Sequence, residues 1–308
     1  MILCCGEALI DFVPRETRAG ALAFQPMNGG SIYNTAIALG RLGAATGFFG
    51  GLSSDFFGDQ LREGLAASHV DYSLSPESAR STVLAFVKLA SDGQARYSFI
   101  DEGSAARMLD EAQLPVLGDH IQALHTGSIS LVLEPCATAF EALVRREAAR
   151  RVVSYDPNIR PTLIKDRAAV LARLARMAAL ADLIKLSDED LEWIAPGAAA
   201  DAVAAAWLKA GAKVVTVTRG AEGAAAFTAR ERVEIAGINV TVADTIGAGD
   251  TFTAGMLTAL SRRAFLTKPA LAALGAADLR AVLEFAARAA AITVSRPGAD
   301  PPWSHEID

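Results

Sequence analysis

The chemistry-bearing residues concentrate in the segment 242–252, VADTIGAGDTF. A helical run, Thr251–Leu260, follows it directly. Gly247, Ala248 and Gly249 therefore stand where backbone N–H groups lack an intrahelical acceptor. Those donors, with the positive end of the helix dipole, form an anion site. A carboxylate beside a bound phosphate is repelled unless it has a task, and Asp250 is placed to take a proton from an attacking hydroxyl. The structural alternative is a helix-start carboxylate, worth about 0.5–2 kcal/mol. No GxxxxGK[ST] loop competes for a triphosphate. His69, His120, His125 and His305 show no metal-ligand spacing, and the three cysteines form no CxxC pair. His125 is expected to end a strand at the catalytic edge as a structural residue.

Short apolar runs alternate with Ala-rich helical patterns along most of the chain. Ile2–Leu9, Gly47–Leu52, Ile121–Thr126, Arg151–Tyr155, Leu183–Leu186 and Val214–Thr218 read as buried strands. Ser31–Leu42, Asp55–Ala67, Pro135–Arg150 and Asp166–Leu180 read as the helices between them. That rhythm predicts a mostly parallel sheet with helices on both faces, and ligands at the carboxyl ends of its strands. Glu7, Leu9 and Asp11 share a face of the first strand, with Asp11 at its exit. The rhythm breaks at Phe12–Phe24 and at Ser81–Phe99, where Ser91-Asp92-Gly93 reads as a hairpin turn. These pieces are expected to form a small β lid. Gly247–Val294 reads as helical, with a break near Lys268-Pro269.

Three further stretches match one family. Gly29-Gly30-Ser31-Ile32-Tyr33-Asn34 is followed by Gly40-Arg41-Leu42-Gly43 and then by GGLSSDFFG at 50–58, all upstream of Asp244-Thr245-Ile246-Gly247-Ala248-Gly249-Asp250. In that order and at that separation they resemble the two signatures of the PfkB (ribokinase-like) carbohydrate kinases, over nearly the whole chain. The resemblance implies a ribokinase-like three-layer α/β/α sandwich, one kinase domain across 1–308, with a lid from residues 12–27 and 81–106.

The resemblance also implies roles. Asp250 is the base that activates a sugar hydroxyl, while Gly247, Ala248 and Gly249 donate N–H groups to the transferred phosphoryl. Asp11 binds sugar hydroxyls beside Gly29, Gly30 and Asn34, a carboxylate and an amide that together accept and donate. On the lid, Tyr97, Phe99 and Arg107 cover the sugar or serve ordinary hairpin packing, and Glu134, after Gly127-Ser128-Ile129-Ser130, lines the crevice. On the nucleotide side Asn158 and Arg160 lie near the phosphates. Ser187 and Asp190 stand in an NxxE-like element, where Asp190 organises Mg²⁺ through water. Thr218, Gly220 and Gly223 form a TxGxxG-like turn toward the ribose and phosphates. Carbonyls near Asp244 and Ile246, with the loop 295–298, suit K⁺. ATP is the expected cosubstrate. Departures from the family pattern are Ser31-Ile32-Tyr33 in the first signature, Ser187 for Asn and Asp190 for Glu.

Within the family, GEALIDFVP at 6–14, the segment 104–109, and Gly127–Ser130 with Glu134-Pro135 are most similar to bacterial fructokinases. D-Fructose, phosphorylated at its 6-hydroxyl, is the expected substrate. The alternatives are 2-keto-3-deoxygluconate, for whose carboxylate Arg107 is a candidate partner, then ribose or a nucleoside. A Rossmann dehydrogenase would carry GxGxxG after the first strand, where this chain has CCGEAL. A non-catalytic sugar sensor has no need of Asp250.

Composition agrees with a folded enzyme. Of 308 residues, 52% are hydrophobic and 21% charged, enough for a large core. The net charge of −6, without a Lys/Arg cluster, argues against nucleic acid or an anionic membrane as partner. The stretch near Leu171 is broken by Arg173 and Arg176, short of the roughly 20 apolar residues of a span. The segment MILCCGEALIDF has no basic n-region and carries Glu7 and Asp11, unlike a signal peptide. A cytoplasmic protein is expected, with a homodimer through the lid's edge strands as its possible assembly.

Overall fold

In a computed structural model of the chain, the structure describes residues 1–89 and 95–307. The chain opens with β1 (Ile2–Cys5), β2 (Leu9–Glu16) and β3 (Leu22–Gly29), then α1 (Ser31–Arg41). Next come β4 (Thr46–Phe49), β5 (Leu52–Ser53), α2 (Phe56–Ala67), β6 (Val70–Asp71) and β7 (Glu77–Ser78). The pair β8 (Val83–Leu89) and β9 (Ala95–Ile100) precedes β10 (Ala123–Gly127), α3 (Cys136–Glu147), β11 (Val152–Asp156) and α4 (Arg167–Leu180). Then follow β12 (Leu183–Ser187), α5 (Asp188–Ile194), α6 (Ala200–Ala210), β13 (Val214–Thr218), β14 (Ala224–Phe227) and β15 (Arg232–Ile235). The chain finishes with α7 (Ala248–Arg262), α8 (Lys268–Ala272) and α9 (Ala276–Val294).

Among the described residues, nine strands form one sheet in the order β15-β14-β13-β12-β11-β10-β1-β4-β6. It is parallel from β13 to β6, with β14 and β15 added antiparallel at one edge. Apolar side chains on both faces of these strands require cover on both sides. Cys4, Ile10 and Leu183 share one core with α1, α7 and α9, while Leu3, Val153 and Ile184 share the other with α3, α4 and α6. The expected three-layer α/β/α sandwich is the observed one. The chain moves outward from β1 in both directions, so the sheet's switch point lies between β1 and β10, where ligand crevices form.

A second sheet has the order β3-β2-β8-β9. Its strands fall in the two stretches expected to leave the strand–helix rhythm. The turn read at Ser91-Asp92-Gly93 lies outside the described residues.

Three local expectations need correction, and a fourth holds. The run Ile2–Leu9 is not one strand: β1 ends at Cys5, and the chain bends through Gly6-Glu7-Ala8 before entering the other sheet as β2. A Cβ on Gly6 would meet the Ile32 side chain 2.5 Å away, so the bend packs directly on α1. Asp11 accordingly sits inside β2, not at the exit of β1. The helical stretch does break near Lys268-Pro269, as expected: α7 ends at Arg262 and Lys268 starts α8, whose N-cap Thr267 accepts from Ala270 N–H and whose first turn tolerates proline. His125 is the middle residue of β10 rather than its end, fully buried, with Nδ1 3.1 Å from Ser154 Oγ. Burial holds its pKa down at about 3, as befits a neutral structural histidine.

Candidate active site

The helix carrying Asp250 begins at Ala248, earlier than its apolar pattern suggests. Gly247 is its N-cap, with φ 76°, and a Cβ there would sit 2.7 Å from the Ala299 Cβ. The left-handed backbone and this close approach together call for glycine. Gly249 and Asp250 thus occupy a first turn, whose N–H groups point out of the helix. Ala248 is a partial exception, since its N–H leans on Thr245 O at 3.3 Å.

Asp250 does not cap its own helix. Its Oδ1 accepts from Ser31 Oγ at 2.6 Å and its Oδ2 from Asn34 Nδ2 at 2.9 Å. Both partners lie in the first turn of α1, so two helix N-termini converge on one carboxylate. Burial pushes the Asp250 carboxyl above the ordinary aspartate value, while Ser31, Asn34, Lys185 and Arg160 oppose that rise. Asp250 is thus a first-turn carboxylate of α7 that makes no side-chain cap bond to its own helix. Asn34, expected beside the sugar, donates a hydrogen bond to the candidate base.

Asp11 reaches the same pocket from β2. A Cβ on Gly29 would collide with Asp11 Oδ2, so the glycine leaves the space that this carboxylate fills. Burial raises the Asp11 pKa to about 7, with Arg160 opposing and Asp250 reinforcing the rise. These causes place Asp11, Arg160 and Asp250 within mutual electrostatic reach. Gly30 is the N-cap of α1. Below it, buried Glu7 accepts from Ile32 N–H at 3.4 Å and from Ser130 Oγ, bracing the exits of β1 and β10 across the switch point.

The remaining candidates divide. Arg160 donates to Asn158 Oδ1 at 2.6 Å, so these two residues brace one another after β11. Ser187 and Asp190 form a capping box at the start of α5: the Ser187 hydroxyl accepts from Asp190 N–H, while Asp190 Oδ2 accepts from Ser187 N–H at 3.0 Å. Asp190 Oδ1 accepts from Ile159 N–H at 2.7 Å, so its carboxylate clamps the turn. Thr218 ends β13, and Gly220 and Gly223 (φ 50° and 101°) shape the turn into β14. Asp244 accepts from Ile246 N–H at 3.0 Å and Gly298 N–H at 2.9 Å, joining the two loops read as a cation site.

The lid and crevice candidates contribute less. Arg107 donates to Asp101 Oδ2 at 2.8 Å and to Glu134 O at 3.1 Å. The Glu134 carboxylate accepts from Arg173 at 2.6 Å and from Thr138 at 2.9 Å, a network between α3 and α4. Phe99 packs with Leu9, Val83 and Ala85. Tyr97 is on β9 in register with Val87, and its side chain lies outside the described residues.

Sequence reading passed over Ser31, Glu7 and the pair Asp156–Lys185. Lys185 Nζ is 3.0 Å from Asp156 Oδ2, with the two side chains 8% and 1% exposed. A lysine inside Leu-Ile-Lys-Leu, a strand buried on both faces, needs a carboxylate partner, and that was the available signal. Among the described residues no group of three or more His, Cys, Asp or Glu is placed to hold a metal, so a divalent ion has no ready-made protein cage.

The pfkB family carbohydrate kinase model matches residues 1–306. The chain belongs to that family. This kinase is 54% identical over 280 residues to a fructokinase of Rhizobium leguminosarum bv. trifolii, covering 91% of this chain and 86% of that one. Its fold superimposes on a fructokinase of Xylella fastidiosa crystallised with bound ATP, with TM-score 0.88 and 33% identity, covering 97% of this chain and 93% of that one. A fructokinase of Vibrio cholerae O395, in its fructose, ADP and calcium ion bound form, gives TM-score 0.83 at 25% identity, covering 97% and 94%. The kinase has no helix, among the described residues, long and apolar enough to cross a membrane.

Proposed function

We propose that this kinase transfers the γ-phosphoryl group of ATP to the 6-hydroxyl of D-fructose. The observation that carries the reading is the Asp250 carboxylate, held by Ser31 and Asn34 at the first turn of α7. The hydroxyl proton passes to Asp250 as the oxygen bonds to phosphorus, and the bond to the ADP oxygen breaks. Positioning and charge stabilisation supply most of such a rate, and the N–H groups of Gly247 and Gly249 face that task. Asp11 accepts from the sugar hydroxyls, and Arg160 balances the charge between the two carboxylates and the phosphates. The four-stranded sheet closes over the sugar as the lid of a single domain.

Fructose is favoured over 2-keto-3-deoxygluconate because Arg107 is already neutralised by Asp101. The fructokinase relatives support the same choice. Magnesium comes with the nucleotide, held mainly by phosphates and water, in keeping with its reluctance to dehydrate. Potassium fits the joint between Asp244 and Gly298. A homodimer is supported by apolar side chains left open on the lid, with Leu22 72% and Ile100 59% exposed.

The test is kcat/KM for ATP-dependent phosphorylation of fructose, ketodeoxygluconate, ribose, tagatose and adenosine in parallel. Fructose is expected to lead by at least about tenfold, a difference of 1.4 kcal/mol in transition-state binding. A lead by ketodeoxygluconate overturns the substrate, and turnover of none overturns the kinase reading.

A further inference from the structure

Lys185 is a cation built into the floor of the transfer site. It stands in β12 between Ile184 and Leu186 and is 7% exposed. Asp156 ends the neighbouring strand, two residues beyond Ser154, which pairs with Leu183. The cross-strand position brings Lys185 Nζ to Asp156 Oδ2 at 3.0 Å, and Thr253 Oγ1 of α7 donates to the same oxygen at 3.3 Å. Asp156 Oδ1 is buried without a hydrogen-bond partner among the described residues. On the other side, Lys185 Nζ lies 3.0 Å from where a Cβ on Gly249 would sit. The ammonium is therefore lodged between a buried carboxylate and the anion-binding turn.

Stability alone gives a poor reason for such a pair. An apolar pair of similar volume commonly serves a core as well or better, because desolvation of two charges offsets their attraction. Burial works against the ammonium, yet the carboxylates of Asp156, Asp190 and Asp250 outweigh it and hold its pKa above the ordinary lysine value. The charge is maintained where a phosphoryl group would meet Gly249.

We propose that Lys185 is a further catalytic residue of the transfer reaction and Asp156 its positioning residue. The inference rests on the kinase reading above. As the sugar oxygen bonds to the γ-phosphorus, the bond from phosphorus to the bridging oxygen breaks and its electron pair stays on ADP. The hydroxyl proton goes to Asp250. Lys185 keeps its own protons throughout and donates hydrogen bonds to the phosphoryl oxygens in flight. The same charge acts on Asp250, which is also faced by Asp11 of β2, Asp156 of β11 and Arg160 after β11. Lys185 and Arg160 favour the ionised base, whereas Asp11 and Asp156 oppose it.

The test compares Lys185→Met with the double variant Asp156→Asn/Lys185→Met, which leaves no lone buried charge. Both are assayed for kcat, fructose KM, the pH profile of kcat and thermal melting. In the double variant the melting midpoint stays within a few degrees of the parent. Its kcat falls about 100-fold to 1000-fold, the loss typical of removing one donor to transition-state charge. Its fructose KM changes less than about threefold; the acid limb of kcat moves to higher pH in Lys185→Met, where Asp250 has lost only a positive neighbour, and moves less in the double variant, where the loss of Asp156 offsets it. A merely structural lysine would lower the melting midpoint and leave kcat of the folded double variant near that of the parent. The inference is overturned if the folded double variant keeps kcat within about threefold of the parent. If the parent protein phosphorylates none of the sugars, the kinase reading itself falls, and this inference with it.

Discussion

Asn34 Nδ2 donates to Asp250 Oδ2 over 2.9 Å, joining residues that lie 216 positions apart. With Ser31 Oγ on the other oxygen, the first turn of α1 holds the carboxylate that begins α7. The Asp250 carboxylate is held by another helix, leaving the N–H groups of its own first turn free of its side chain.

Replacement of Asp250 by Asn keeps the shape and both neighbours but removes the proton acceptor. General-base removal typically costs about 10²–10⁴ in rate. The expected outcome is a kcat loss of that order, with ATP and fructose dissociation constants changed less than about threefold by calorimetry.

Ser31→Ala removes one donor to the ionised base. The hydroxyl opposes the rise that burial imposes on Asp250, so its loss raises that pKa further. Asp250 must be ionised to accept a proton. The acid limb of kcat therefore moves to higher pH, while the plateau above it falls less than in Asp250→Asn. Stopped-time assays across the pH range read both quantities.

Asp11 titrates at about 7 in the folded protein. Its ionised form is the better acceptor for sugar hydroxyls, so fructose KM is expected to fall as pH rises through 7. In Asp11→Asn that dependence flattens. Gly29→Ala drives a methyl into the same carboxylate and should raise KM more than it lowers kcat. The stability sign runs the other way. A carboxyl whose folded pKa exceeds its unfolded value binds more protons when folded, so this group's contribution to stability declines as pH rises from about 4 to 7. Melting midpoints of the parent and of Asp11→Asn in that window should converge toward acid and separate toward neutral pH.

The lid surface gives a separate expectation. Leu22 on the edge strand β3 is 72% exposed, and Leu22→Glu would place charge on a face read as a pairing edge. Sedimentation should show a dimer for the parent and a larger monomer fraction for the variant, with kcat for fructose retained within about threefold.

The alternating apolar runs and Ala-rich helices determined the layered parallel sheet, because strands buried on both faces and amphipathic helices have few other ways to cover each other. The Gly247–Asp250 turn was legible for a similar reason: glycine tolerance and a helix start are local properties of the chain. The partners of the polar groups were not local. Nothing in the spacing of Ser31 and Asn34 says that they face Asp250, since helix packing decides that. Asp11 was placed on the wrong element because the bend at Gly6–Ala8, made by packing on Ile32, has no periodicity to announce it. Lys185 and Asp156 were each visible as charges in apolar strands. Only the register of β11 with β12, and the seating of α7 over their ends, turned two isolated charges into a buried pair beside Gly249.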